Sequence, residues 1–117
     1  MARGYDKKQE HIAAINLLGK DLARRAGRKC EWCETTGELR PYDMAPDDEP
    51  ELDALMLVCA RCRAVLDGRD DDPRTLRFLE GAVWSATAPV ERTARMAIKR
   101  VDADWARDTV ELLPPEE

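Results

Sequence analysis

Four cysteines stand in two C-x-x-C pairs, Cys30-Glu31-Trp32-Cys33 and Cys59-Ala60-Arg61-Cys62, with 25 residues between the pairs. Two residues between thiols let the backbone turn tightly and aim both sulfurs at one point. Two such turns supply four thiolates to a tetrahedral ion at roughly 2.3 Å. The pattern predicts one structural Zn²⁺ held by Cys30, Cys33, Cys59 and Cys62. With four protein ligands the site has no open position at which a water could react. Arg28, Lys29, Arg61 and Arg63 flank the ligands and can offset the surplus negative charge of a tetrathiolate. Two disulfides would suit an oxidising compartment. A dithiol redox pair would need a thioredoxin-like βαβ setting that the chain lacks. Iron–sulfur clusters take four cysteines at other spacings. In a chain of 117 residues the ion would add folding energy directly.

Other reactive groups are sparse. His11 is the only histidine, and its neighbours Lys8, Glu10 and Ile12 suggest a rim position on a surface helix. Asp43 and Asp67 are isolated carboxylates of the kind usually solvated. Trp32, inside the first knuckle, either shields the sulfurs or serves as an exposed contact aromatic. Trp84 and Trp105 fall on apolar stripes and read as core, and Met44, Met56 and Met96 read as fillers. The acidic stretch from Asp47 to Asp53 lacks the glycine and terminal glutamate of a calcium loop and reads as an insertion in a hairpin. No glycine-rich phosphate loop, nucleophile elbow or Ser/His/Asp set is present.

The elements that must position the cysteines follow from periodicity. Ile12, Ile15, Leu18 and Leu22 at spacings of three and four predict a helix, with Asp6 as its cap and Gly27 as its stop. After the first knuckle, Thr35-Thr36-Gly37 reads as a turn. The run from Glu38 to Met44 contains Pro41 and is an edge strand at best. Leu55 to Val58 is short, apolar and strand-like, leading into the second knuckle. A short helix follows over 60–66, ended by Asp67-Gly68. Three further helices are expected: from Pro73 with Asp72 as cap, carrying Leu76, Phe78, Leu79, Val83 and Trp84; from Ala88-Pro89, carrying Val90, Ala94, Ala97, Ile98 and Val101; and from an Asp104 cap, carrying Trp105, Val110, Leu112 and Leu113 until Pro114-Pro115.

The fold class expected is therefore α+β and mostly helical, with a small treble-clef-like zinc knuckle hairpin between an N-terminal helix and C-terminal helices. One domain is expected, with an N-terminal helix over 1–27, a zinc-binding unit over 28–70, a helical extension over 71–113 and a tail over 114–117. The apolar share of 44% argues for a folded chain, and no apolar stretch is long enough to cross a bilayer. The charged start, with no apolar run behind it, predicts a cytoplasmic protein. Charge is segregated: residues 1–29 carry eight basic against three acidic side chains, residues 30–72 four against thirteen, and residues 73–117 seven against eight. With a net charge of −5 the whole molecule lacks a basic footprint for nucleic acid.

Lys29-Cys30-Glu31-Trp32-Cys33, Leu39-Arg40-Pro41-Tyr42-Asp43-Met44-Ala45-Pro46 and Leu57-Val58-Cys59-Ala60-Arg61-Cys62 together resemble the N-terminal zinc-binding domain of PhnA-type proteins. Val83-Trp84-Ser85, Ala94-Arg95-Met96-Ala97-Ile98-Lys99-Arg100 and Trp105-Ala106-Arg107-Asp108 extend the likeness from about Leu22 to Leu113. Longer members carry a small all-β domain after this region, which this sequence does not continue into. The resemblance implies the zinc fold and no phosphonate chemistry. The knuckles also look like the treble-clef scaffold of HNH endonucleases, where histidines on the first strand and on the helix after the second knuckle hold a catalytic metal. At those places this sequence has Tyr42-Asp43-Met44 and Arg63-Ala64-Val65-Leu66-Asp67. The function expected is a zinc-binding, non-enzymatic interaction or regulatory module with a protein partner and no membrane. The alternatives are nucleic-acid binding through Arg24, Arg25, Arg28, Lys29, Arg61 and Arg63, and a degenerate HNH-type nuclease using Asp43.

Overall fold

A row of side chains spaced alternately by four and three residues, His11, Ile15, Leu18, Leu22 and Arg25, lies on one face of a long helix, α1 (Ala2–Ala26). The computed structural model describes the backbone of residues 2–114 and the side chains of residues 8–114. The helix thus begins before the expected cap; the side chain of Asp6 lies outside the described residues. It stops where glycine predicts. The Gly27 amide donates to the Arg24 carbonyl at 3.2 Å and the Arg28 amide to Ala23 at 3.0 Å, with both residues left-handed at φ 64 and 60. That pair of bonds is a Schellman motif, which satisfies carbonyls the helix end would leave orphaned.

Packing divides the chain into two units, Met1–Cys59 and Ala60–Glu117. In the first, α1 is joined by an antiparallel hairpin of β1 (Arg40–Asp43) and β2 (Leu55–Val58), in register Arg40↔Val58 through Asp43↔Leu55. Pro41 sits in β1, where a two-stranded sheet leaves one edge unpaired. All four residues of β2 are buried. Leu55 and Leu57 form a small core with Leu22, and Ile15, Leu18, Leu39 and Leu52 pack around it. Ile12, expected on this apolar stripe, is instead 41% exposed, because the row that faces the hairpin starts one residue earlier, at His11. The acidic stretch closes with a 3-10 turn over Leu52–Ala54, and the Met44 amide donates to the Ala54 carbonyl, closing the base of the insertion.

The second unit begins with α2 (Ala60–Leu66), which has the predicted bounds. It ends in a second Schellman motif: Gly68, at φ 77, donates to Val65 and Arg69 donates to Ala64. Arg100 also reaches the Val65 carbonyl, at 3.3 Å. Next come α3 (Leu79–Ala82), α4 (Ala88–Ile98) and α5 (Asp104–Leu112); α4 packs on α2, α3 and α5. Leu76, Leu79, Val83, Val90, Ala94, Ala97, Ile98 and Val101 are buried. Two buried hydroxyls, Thr93 and Thr109, turn back on carbonyls of their own helices and so remain satisfied.

Several expectations for this unit are corrected. The helix predicted from Pro73 does not form there. Asp72 instead makes a tight turn, its carboxylate accepting the Arg74 amide and its carbonyl the Thr75 amide. The carboxylate's bond is the expected cap bond, but only one turn follows it, and helix begins at Leu79. At α5 the cap position is Ala103, and Asp104 lies inside the first turn, ion-paired to Arg107. Trp84 and Met96 are 53% and 68% exposed rather than core, and Leu112 is 73% exposed. Ala106 and Thr109 are the buried residues of α5. Pro114 follows the helix end, and Pro115 lies outside the described residues.

Candidate metal centre

The two knuckles are held differently by their backbones. In the first, the Cys30 amide donates to the Thr35 carbonyl and the Glu34 amide to the Cys30 carbonyl, both at 2.9 Å. Glu34 closes the turn at φ 65, a left-handed conformation unfavourable for a residue with a Cβ. The second knuckle runs from Cys59, at the end of β2, to Cys62 in the first turn of α2.

The first knuckle is fastened to β2 by Glu31. Its amide donates to the Leu57 carbonyl at 2.8 Å, and its carboxylate accepts the Leu57 amide at 2.9 Å. One residue thereby covers part of the free edge of β2 as a neighbouring strand would. Because Leu57 lies two residues before Cys59, this clip sets the first knuckle beside the strand that leads to Cys59. Arg25 completes it with a forked pair to Glu31, Nε to Oε2 at 3.0 Å and Nη2 to Oε1 at 2.8 Å. The same guanidinium donates to the carbonyls of Leu52 and Leu55 at 2.7 and 2.6 Å. The Glu31 side chain is 4% exposed. A carboxylate so buried is tolerable only when its oxygens are met by this many donors.

The sulfurs of Cys30, Cys33, Cys59 and Cys62 all lie within 4.8 Å of one another. This is the one group of three or more metal-ligating side chains among the described residues, and it can hold a metal ion. Cys33 and Cys59 approach to 3.7 Å. A tetrahedron with metal–sulfur bonds of roughly 2.3 Å has sulfur–sulfur edges of about 3.8 Å, so the donor set fits a single thiophilic ion. Cys30 and Cys62 are buried and Cys33 and Cys59 half-buried. Trp32 is 3% exposed. Of its two readings, the exposed contact aromatic is overturned.

The structure also joins two residues that the sequence kept apart. His11 Nε2 meets Asp43 Oδ2 at 2.6 Å, across 32 residues of chain, with side-chain exposures of 26% and 13%. The other oxygen of Asp43 accepts the Ala45 amide at 3.0 Å. Asp43 is therefore not an isolated solvated carboxylate, and His11, at the half-buried rim position expected of it, is engaged with the hairpin. The signal was present: His11 extends the row of Ile15, Leu18 and Leu22, so the face that buries leucines also delivers the imidazole to the hairpin.

Of the basic side chains read as a nucleic-acid surface, Arg25 is withdrawn into the clip, while Arg24, Arg28 and Lys29 are exposed. Arg61 lies over the Phe78 ring, 5.8 Å from its centre. No described helix is long and apolar enough to cross a membrane. The chain matches no protein-family model, no curated protein and no solved structure.

Proposed function

We propose that this protein is a zinc-binding, non-enzymatic interaction module in which Cys30, Cys33, Cys59 and Cys62 hold one structural Zn²⁺ in a treble-clef-like unit. The observation that carries this reading is the four sulfurs within 4.8 Å of one another. Their spacing favours one ion over an iron–sulfur cluster, whose cysteines sit on separate irons and stand further apart. Bound there, zinc contributes folding energy and no redox chemistry. The PhnA-type likeness fits the order knuckle, hairpin, knuckle, helix. Exposed Trp84, Met96 and Leu112 offer apolar contact area of the kind protein partners use.

Native mass spectrometry with metal analysis, before and after a strong chelator, tests the reading, with circular dichroism on both samples. One zinc per chain, with structure lost on chelation, is the expected result. No bound metal, or a fold indifferent to its removal, overturns it.

A second reading is favoured by one contact. On an HNH-like scaffold the first strand would carry a histidine where this chain has Tyr42-Asp43-Met44, and His11 brings an imidazole to Asp43 there. An imidazole held by a carboxylate is the arrangement of an oriented general base. Divalent-metal-dependent cleavage of DNA or RNA that His11→Ala and Asp43→Asn both abolish would establish a hydrolase. Equal background cleavage in all three proteins would dismiss it.

A further inference from the structure

The four cysteines of the cluster are not equally buried. Cys30 and Cys62 are 1% and 0% exposed, whereas Cys33 and Cys59 are half-buried. The more accessible pair thus takes one cysteine from each knuckle, and these two sulfurs are 3.7 Å apart. Neither residue lies within a helix or strand, so their side chains can move without breaking a backbone ladder. Thiolates that hold a metal are already deprotonated, and accessible thiolates are the forms that peroxides oxidise.

We propose that Cys33 and Cys59 form an oxidant-responsive modification site, at which a peroxide joins the two knuckles by a disulfide and withdraws two of the four metal ligands. This inference rests on the metal-binding reading above. One thiolate attacks a peroxide oxygen: an S–O bond forms, the O–O bond breaks, and the departing hydroxide takes a proton to become water. The second thiolate attacks the resulting sulfenic sulfur. The S–S bond forms, the S–O bond breaks, and the oxygen leaves as hydroxide, protonated to a second water. Two thiolates have then given two electrons to one hydrogen peroxide with two protons from solvent.

The sulfurs must close from 3.7 Å to a bond of roughly 2.05 Å, a shift the two side chains can share. Once either half-buried sulfur is oxidised, the other lies 3.7 Å away to attack it, in a residue outside helix and strand, whereas the attacker within a knuckle would be buried Cys30 or Cys62. Once the cross-link forms, only Cys30 and Cys62 remain as donors. Two thiolates do not complete a tetrahedral zinc site, so the ion is released.

The test uses the zinc-loaded full chain with hydrogen peroxide at about one equivalent, a chromogenic chelator to report free zinc, and non-reducing peptide mapping by mass spectrometry. The expected result is release of one zinc per chain, a Cys33–Cys59 disulfide as the main product, and recovery on adding a thiol reductant with zinc. A Cys33→His variant keeps a zinc-ligating side chain but cannot form the bond, and should release zinc at least about tenfold more slowly. If that variant fails to load zinc, the wild-type map decides. Zinc retained under peroxide, disulfides within a single knuckle, or sulfinic acid without cross-linking would each overturn the inference. A chain that holds no zinc before peroxide overturns the metal reading instead. Mapping the oxidised metal-free chain then still decides whether Cys33 and Cys59 pair preferentially.

Discussion

In the unit Met1–Cys59 a small leucine core of Leu22, Leu55 and Leu57 is surrounded by polar fastenings, whereas the unit Ala60–Glu117 buries a longer series of apolar side chains from Leu76 to Ala106. The first unit ties α1 to its hairpin through the Arg25–Glu31 clip and the His11–Asp43 contact. In the second, many ion pairs are surface ones between near neighbours, such as Arg107 with Asp102 and Asp104, and contribute little. These fastenings place part of the first unit's stability in directional bonds, to which a bound metal would add. Such bonds fail together when geometry is lost, while apolar burial declines gradually with each methylene removed.

On the zinc reading proposed above, the largest effect that separates the two regions should come from chelation. Structural zinc contributes on the order of 10 kcal/mol in small zinc domains. Hydrogen exchange after chelation should therefore show protection lost first in β1 and β2, with α4 amides persisting longer. Simultaneous loss everywhere would mean that the two regions do not differ in this way.

Next in size is the clip. Glu31→Ala leaves the Arg25 guanidinium and the Leu57 amide without their partner and should cost about 3–5 kcal/mol in chemical denaturation. Arg25→Ala combined with it should cost clearly less than the two single losses together, because both remove the same contact. Full additivity would show that the two side chains act independently.

Leu79→Ala in the second region should cost about 2–5 kcal/mol through an unfilled cavity, yet leave zinc content unchanged at temperatures where the variant is folded. Coupled loss of zinc would erase the distinction. At Glu34, φ 65 favours glycine, so Glu34→Gly should stabilise the first knuckle by about 1 kcal/mol, read as a higher melting temperature.

The smallest effect is a pH response of the second region. The hydrogen bond from the Arg74 side chain, reinforced by the Arg74 amide, holds the Asp72 carboxyl below its ordinary value. A depressed folded-state value means that its stabilisation is complete above the ordinary carboxylate range and is lost as pH falls through the lower folded value. Melting temperatures between pH 2 and 6 (roughly the carboxylate range) should show a slightly shallower acid limb in Asp72→Asn than in the parent. Identical limbs would exclude the contribution.

The sequence by itself determined those features whose cause is local. Two residues between cysteines shape a knuckle, glycine past a helix end admits the left-handed turn at Gly27 and Gly68, and the continuous apolar run Leu55–Val58 makes β2. The α+β class followed from these. Local rules misled where they gave a start or a pattern without its continuation or its surroundings. Asp72 and Pro73 make the expected cap bond, but the turn they start is not continued, and helix begins at Leu79. Trp84 and Met96 sit on patterns that also suit a core, yet a pattern does not say how many helices surround it, and both are exposed.

What only the tertiary structure decided is which polar groups meet over long separations. That Arg25 serves the clip rather than an exposed basic surface, and that His11 reaches Asp43, depends on where the α1 face lands on the hairpin. Side-chain identity sets the donors and acceptors each residue carries. Which of them comes within about 3 Å is fixed by the packing of elements that lie far apart in the chain, and no local propensity encodes it.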